Sequence, residues 1–311
     1  MDFEKELQMA TAAAEETIEN FLPTEVSFQK PVTDAMNYSV LSGGKRIRPI
    51  LMAETYKLFA LPWEDEKGRT VQIPQNPVLH RFMAGIEFIH NYSLVHDDLP
   101  AMDNDDMRRG QETTHKKFGE ALGILAGDAL LNYAFEMMVK GFETDRICEA
   151  CMLLGRTNEA EYMKRVAWAL SLTAEKAGIH GMIGGQTADV CDEGKDIGKD
   201  ELLFIYENKT AALIEAAMMD GAILGGASEE DVKKIGEAAG KIGHAFQIRD
   251  DLLDEKTEKP GKVTFLTFEG AEKAEARVAS LTEEAIAILS SFERSNDFLL
   301  ELTYRLMSRE K

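Results

Sequence analysis

Two acidic stretches in this chain have the composition and spacing to hold a divalent cation. The first is His96-Asp97-Asp98-Leu99-Pro100-Ala101-Met102-Asp103, followed by Asn104-Asp105-Asp106. The second is Gln247-Ile248-Arg249-Asp250-Asp251-Leu252-Leu253-Asp254. Each closes an apolar helical run. Asp250 and Asp254 are four apart, so a helix presents both on one side. Like charges at that spacing repel unless a cation bridges them, and the carbonyl end of a helix adds further negative potential. Hard carboxylate oxygens in pairs suit Mg²⁺, which keeps several waters and shares substrate phosphates. Asp97 and Asp103 are six apart, which a regular helix puts on different faces. Pro100 predicts a bulged helix end that brings Asp103 back beside Asp97. One such cluster is as readily an acidic helix terminus or a weak Ca²⁺ site. Two of them, about 150 residues apart and each ending an apolar run, point to a shared purpose. Neither has the alternating ligands and central Gly of an EF-hand loop.

The strongly basic positions complement these clusters. Ser42-Gly43-Gly44-Lys45-Arg46-Ile47-Arg48-Pro49 combines a tight glycine turn with a proline suited to the first turn of a helix. Free backbone N–H groups there, with Lys45 and Arg48, make an anion site. Arg108-Arg109-Gly110 follows directly after the first acidic cluster, and guanidinium forks match phosphate oxygens. Lys209-Thr210 lies within a helical stretch. Together the acidic and basic sets describe a site for two polyanions, one bridged by metal and one held by direct cationic contact.

These residues need rigid elements to position them, and helical periodicity dominates the chain. Residues 2–22 carry Phe3, Leu7, Ala10, Ala14, Ile18 and Phe21 at helical steps. Segments near 34–60, 79–99, 118–141, 145–155, 159–177, 200–224, 229–254 and 270–308 also read as helices, and alternating strand patterns are nearly absent. The longest break, Leu61 to Pro77, reads as a surface loop. The expectation is one all-α domain over residues 1–311, with about ten or more helices.

Composition limits the possible functions. The chain has 311 residues, 55 Asp+Glu and 35 Lys+Arg, for a net charge of −20. That balance argues against nucleic acid as a partner and against docking on an anionic membrane. No apolar run is expected to reach the ~18 residues of a membrane span. The acidic N-terminus lacks an apolar signal stretch, so a cytoplasmic protein is expected. Three cysteines do not suggest a disulfide framework. Cys148 and Cys151 have no second pair nearby for zinc. Asp128 reads as structural, and Gln186 and Asp189 share a helix face as supporting groups.

The pattern resembles the trans-isoprenyl diphosphate synthases, also called polyprenyl synthetases. The resemblance runs from about Tyr38 to Asp254. It rests on Gly43-Gly44-Lys45-Arg46-Ile47-Arg48-Pro49, on Ile89 to Asp98 leading to Arg108-Arg109-Gly110, and on Leu125-Ala126-Gly127-Asp128-Ala129-Leu130-Leu131. Gly184-Gly185-Gln186, Lys209-Thr210 and Phe246-Gln247-Ile248-Arg249-Asp250-Asp251 then follow in the family's order. The resemblance implies a bundle of antiparallel helices around a deep cavity, usually a homodimer. It implies ionisation of an allylic diphosphate, attack by isopentenyl diphosphate on the allylic cation, and loss of a proton. About three Mg²⁺ are implied, with Asp97 and Asp103 ligating two and Asp250 a third, supported by Asp98, Asp251 and Asp254. Arg108 and Lys209 are implied to hold the allylic diphosphate, and Lys45, Arg48, His90 and Arg109 isopentenyl diphosphate. Thr210 and Gln247 would place oxygen dipoles near the carbocation.

Product length is expected to depend on Tyr92, five residues before Asp97 and so about 7.5 Å along the helix. An aromatic ring there blocks a growing tail, which favours fifteen carbons, whereas small Ser93 beside it leaves room. The first motif has two extra residues before its last Asp, as in bacterial farnesyl and plant-type geranylgeranyl synthases, so a C20 product is the alternative. After Asp254 the chain looks shortened relative to the family. Lys259 and Lys262 are both candidates for the loop lysine that reaches the allylic diphosphate. A terpene cyclase is disfavoured by the second Asp cluster and by Lys45 and Arg48. A non-catalytic partner subunit is disfavoured because both Asp clusters are intact.

Overall fold

The structure is a computed structural model that describes residues 2–24, 27–60, 75–155, 158–192, 194–254, 263–294 and 296–309. Most of the 61–77 loop, and Lys259 and Lys262, lie outside the described residues. The fold is all-α, as the periodicity predicts. The helices are α1 (Phe3–Glu19), α2 (Lys30–Leu41), α3 (Ile47–Phe59), α4 (Pro77–Asp97), α5 (Thr114–Phe118), α6 (Glu120–Val139), α7 (Thr144–Leu153) and α8 (Glu159–Ala177). They continue with α9 (Met182–Asp192), α10 (Lys199–Ile205), a π-helical segment Tyr206–Ala211, α11 (Ala212–Gly225), α12 (Glu229–Asp254), α13 (Phe265–Glu269), α14 (Ala271–Leu289) and α15 (Asp297–Ser308). Two short strands, β1 (Met107–Arg108) and β2 (Gln111–Glu112), pair antiparallel.

The chain divides into two compact units. The first holds Gln8–Ile50 and Glu64–Val166; the second holds Met1–Leu7, Leu51–Trp63 and Ala167–Lys311. In the first unit α4 is the central helix. Asn76 caps it by accepting hydrogen bonds from the Val78 and Leu79 amides at 2.9 and 3.1 Å, with Pro77 in its first turn. Val78, Leu79, Phe82, Met83, Ile86, Phe88 and Ile89 are buried around its circumference, which marks a core helix. α6 packs along α4. A Cβ on Gly85 would stand 2.5 Å from Met138 Cε, so the glycine lets the two helices approach closely. In the second unit α12 packs on α11 and α14. α11 is buried nearly all round and ends on left-handed Gly226, whose N–H returns to Ala222 and Ile223.

Several expected boundaries shift. The 34–60 helix is two helices, because Gly43 and Gly44 adopt φ of 88° and 142° and break the run. The 270–308 helix also divides, and Asn296 starts α15 by accepting from the Leu299 amide at 3.0 Å. The membrane expectation also needs correction. Glu120–Phe142 is long and apolar enough, by length and composition, to cross a membrane. Asp128 and Glu136 interrupt it, and its Ala126, Leu130, Ala134, Met137 and Met138 are buried.

Candidate active site

In the first unit, α4 delivers Asp97 at its C-terminus and Asp98 at its C-cap. The chain then curls back. Leu99 N–H bonds to His96, Met102 and Asn104 N–H bond to Leu99, and the Asp103 amide reaches the Asp97 carbonyl at 2.8 Å. Left-handed Asn104, at φ 55°, completes the turn. The bulged end at Pro100 therefore returns the Asp103 backbone to Asp97, as the spacing predicts. Asp98 is buried, and its Oδ1 accepts from Arg108 Nε at 2.7 Å and Nη2 at 2.6 Å. Burial pushes the Asp98 carboxyl up, and Arg108 opposes that. Asp98 thus serves as the anchor of Arg108.

Arg108 and Arg109 are presented by the β1–β2 hairpin. Arg109 and Gly110 occupy its two-residue turn with φ of 53° and 79°, both positive as that tight turn requires. The Arg109 guanidinium lies on Gly44, where a Cβ would come within 2.9 Å of its Nη1, and donates to the Gly43 carbonyl. The glycine turn therefore seats an arginine as well as offering free amides. Lys45 is exposed beside it. Arg46 has a structural role: it is buried, donates to Glu87 at 2.8 Å and to the Val40 carbonyl at 2.7 Å, and ties the loop to α4.

Arg48 Nε is buried without a partner. Burial lowers the Arg48 pKa, Glu87 raises it and Arg109 lowers it, yet a guanidinium stays charged. Burial, then Arg48, Arg109, Arg108 and Arg46, hold His90 well below the ordinary imidazole range. His90 thus lies in a strongly cationic neighbourhood.

Tyr92 is 6% exposed, and its phenol is pushed up to about 12 by burial and by Asp97. Its ring meets His96 edge-on at 5.8 Å. His96 in turn fills the space that a Gly127 Cβ would occupy, 2.1 Å from Nε2. Ser93 Oγ donates to the His90 carbonyl at 2.9 Å. Asp128 is exposed, with its Oδ1 3.8 Å from His96 Nε2.

The second unit carries the other residues. Lys209 and Thr210 lie on the π-helical segment, a distortion often found at functional sites. A Cβ on Gly185 would stand 2.1 Å from Lys209 N, and one on Gly243 would stand 2.3 Å from Ala211 Cβ. The two glycines thus let α9 and α12 close on the segment. Lys209 Nζ pairs with Asp189 Oδ2 at 2.5 Å. Thr210 Oγ1 donates to Gln247 Oε1 at 2.9 Å, which sets the orientation of the Gln247 amide.

Asp251 is buried. Its Oδ2 accepts from the Tyr206 hydroxyl and from the Phe265 amide at 3.1 Å, and Gln247 Nε2 approaches Oδ1 at 3.4 Å. Asp251 therefore supports the site from within the helix packing. Asp250 pairs with Arg309, which also stacks 3.9 Å over Phe246, and Asp254 is exposed at the end of α12.

Among the described residues, no three His, Cys, Asp or Glu side chains form a ready metal cage. The donors on offer, Asp97 and Asp103 in one unit and Asp250 and Asp254 in the other, are all carboxylate oxygens. That chemistry fits a hard divalent cation whose remaining ligands are water and substrate phosphate. Sequence reasoning missed Glu87, Tyr206 and Arg309. Only Glu87 left a signal, as the sole acid in α4 before Asp97.

The family described as polyprenyl synthetase matches residues 29–287. A farnesyl diphosphate synthase of Geobacillus stearothermophilus is 42% identical over 231 residues, 73% of this chain and 68% of the relative. A chloroplastic geranylgeranyl pyrophosphate synthase of Catharanthus roseus is 38% identical over 278 residues, 84% of this chain and 69% of the relative. Among solved structures, an FPP/GFPP synthase of Zymomonas mobilis superposes with a TM-score of 0.80 at 32% identity, covering 98% of this chain and 99% of that one. A geranyltransferase of Legionella pneumophila gives 0.81 at 30% identity, covering 98% and 96%. The family match, these relatives and the shared fold define a short-chain trans-prenyltransferase. The chain belongs to the polyprenyl synthetase family, whose members depend on divalent metal. Its activity is that of a trans-prenyl diphosphate synthase.

Proposed function

We propose that the chain, acting as one domain, makes farnesyl diphosphate from dimethylallyl or geranyl diphosphate and isopentenyl diphosphate, with about three Mg²⁺ per site. Asp97 and Asp103 take two of the metal ions and Asp250 the third, with Asp254 nearby in sequence. Bound Mg²⁺ would offset the charge of the leaving diphosphate. Arg108 and Lys209, with Lys262 from outside the described residues, hold the allylic diphosphate by charge-assisted hydrogen bonds. Lys45, Arg48, His90 and Arg109 hold isopentenyl diphosphate, and the buried, unpartnered Arg48 Nε supports that role. Thr210 and Gln247 turn oxygen dipoles toward the allylic cation, whose survival needs apolar walls that exclude water.

Tyr92 carries the fifteen-carbon reading: it is buried one and a half helical turns before Asp97 and braced by His96. A C20 product is the second reading, favoured by geranylgeranyl-forming relatives at comparable identity. Incubation with dimethylallyl and isopentenyl diphosphates, with Mg²⁺ or EDTA, followed by sizing of the products, separates the two. Fifteen-carbon product is expected from the natural chain, and longer product from Tyr92→Ala. A C20 product from the natural chain, or unchanged products from the variant, would overturn the assignment. We also propose a cytoplasmic homodimer. The three free cysteines suit a reducing compartment, and the exposed apolar Ile124, Leu125 and Val139 of α6 suit a second copy as partner.

A further inference from the structure

The second unit contains a cleft of about 350 Å³. Its lining residues are Lys199 and Leu203 of α10, His244 and Ile248 of α12, Phe265 and Glu269 of α13, and Lys273, Arg277 and Leu281 of α14. None of these is assigned to a metal or a diphosphate. The walls are apolar at Leu203, Ile248, Phe265 and Leu281. The charges gather from three helices. Lys199 and Lys273 both pair with Glu269, and Lys199 also lies 5.4 Å over the Phe265 ring.

Two lysines share one carboxylate, and Arg277 adds a third cation. Arg277 feels Glu284 across a distance, but Glu284 is already paired with Lys241. The cleft is therefore net positive in a chain whose total charge is −20. His244 Nε2 is buried there without a hydrogen-bond partner. Burial lowers its basicity, Glu207 opposes this, and Arg277 and Lys241 add to it. This unsatisfied ring nitrogen lines the cleft, where a ligand atom can meet it.

A volume near 350 Å³ falls within the range of small-molecule sites, about 300–1,000 Å³. Apolar walls with a few converging polar groups are also typical of such sites. We propose that this cleft binds an amphiphilic anion: an aliphatic body between Leu203, Ile248, Phe265 and Leu281, with one anionic head held by Lys199, Lys273 and Arg277. The head is a phosphate monoester or a carboxylate, since both present the oxygens these cations recognise. The lining side chains are different from those of the proposed chemistry. The cleft adjoins that chemistry through α12, where Ile248 follows Gln247, and through Phe265, whose amide donates to Asp251.

The test is calorimetric titration of the full chain with octyl phosphate and, in a second arm, octanoate, each below its micelle concentration. EDTA is present, so that no metal draws anions to the aspartates, and 1-octanol serves as the uncharged control. One saturable site of submillimolar affinity is expected for at least one anion. The better-bound anion identifies the head, and octanol is expected to bind far more weakly. The double variant Lys273→Ala/Arg277→Ala alters two exposed side chains and leaves the fold intact; it should weaken binding about tenfold or more. Leu203→Trp should abolish binding by filling the cleft. Asp97→Ala should leave it unchanged, which separates this site from the diphosphate residues. Absence of saturable binding by either anion, equal binding by the double variant, or loss of binding in Asp97→Ala would each overturn the proposal.

Discussion

Lys209 shows how one side chain is prepared for an anion. Its ammonium rests on Asp189 Oδ2 at 2.5 Å, with both side chains partly exposed. The ion pair limits the rotamers of the lysine, so Asp189 acts as a positioning residue. On the proposed role of Lys209, Asp189→Asn should raise the KM for the allylic substrate by about 5–10-fold, or about 1–1.4 kcal/mol. The KM for isopentenyl diphosphate should hold. Steady-state kinetics with each substrate varied in turn reads this, and equal changes in both constants would contradict it. Asp220 poses a different residue-scale question. It is fully buried, accepts from Thr173, and leaves Oδ1 unpartnered. Burial raises its pKa well above the carboxylate range, against the Thr173 hydrogen bond. The folded chain therefore binds this proton more tightly than the unfolded one. The stability it contributes is complete below the ordinary carboxyl range and is lost as pH rises through the raised value. Asp220→Asn should be more stable than the natural chain at neutral pH by about 1–3 kcal/mol, with a flatter pH profile. Urea unfolding from acidic to neutral pH measures both, and an unchanged profile would count against the assignment. The aspartates were legible because several sit together in one short stretch. The Arg46–Glu87 pair was not, because its partners are far apart in sequence and only the fold brings them together.

At the scale of elements, the long helices were legible because their apolar periodicity is strong, and α4 and α12 end close to where their aspartates predict. Three features were less so. The turn at Gly43-Gly44 was legible as a turn but not as the break that separates α2 from α3. The β1–β2 hairpin is only two residues on each side and leaves no alternation to read, though Arg109-Gly110 is a turn signal in retrospect. The π-helical segment has no sequence signature, because its extra residue per turn is imposed by Gly185 and Gly243 on the neighbouring helices. That dependence is testable. A methyl group at Gly185 would meet backbone atoms, Lys209 N at 2.1 Å and Asn208 C at 2.7 Å, which cannot rotate aside. Gly185→Ala should therefore cost about 1–3 kcal/mol of stability, as overpacking does. It should also lower kcat by about tenfold, because Lys209 and Thr210 move together. Thermal unfolding and turnover measure the two effects. A variant with normal kcat would show that the π geometry does not set the positions of these groups.

For the whole molecule the governing quantity is a charge of −20, which opposes self-association unless an apolar face outweighs it. α6 offers such a face. Ile124, Leu125 and Val139 are exposed on it, while its opposite side, with Ala126, Leu130, Ala134 and Met138, is buried in the first unit. Asp128 and Glu136 are exposed on the same helix, so the apolar surface left to cover is that of Ile124, Leu125 and Val139. For two like-charged copies, repulsion acts over about the Debye length, roughly 8–10 Å at physiological salt, while burial of apolar surface is little affected by screening. Association should therefore tighten as salt is raised from low to physiological strength, opposite to an interface held by ion pairs. Leu125→Glu places a charge on the face without touching the buried side. It should yield a folded monomer at concentrations where the proposed dimer of the natural chain forms. Analytical ultracentrifugation across salt and protein concentration, with circular dichroism to verify the helices, tests both. A natural chain that stays monomeric, a Leu125→Glu chain that still dimerises, or association that weakens with salt would each remove α6 as the dimer face.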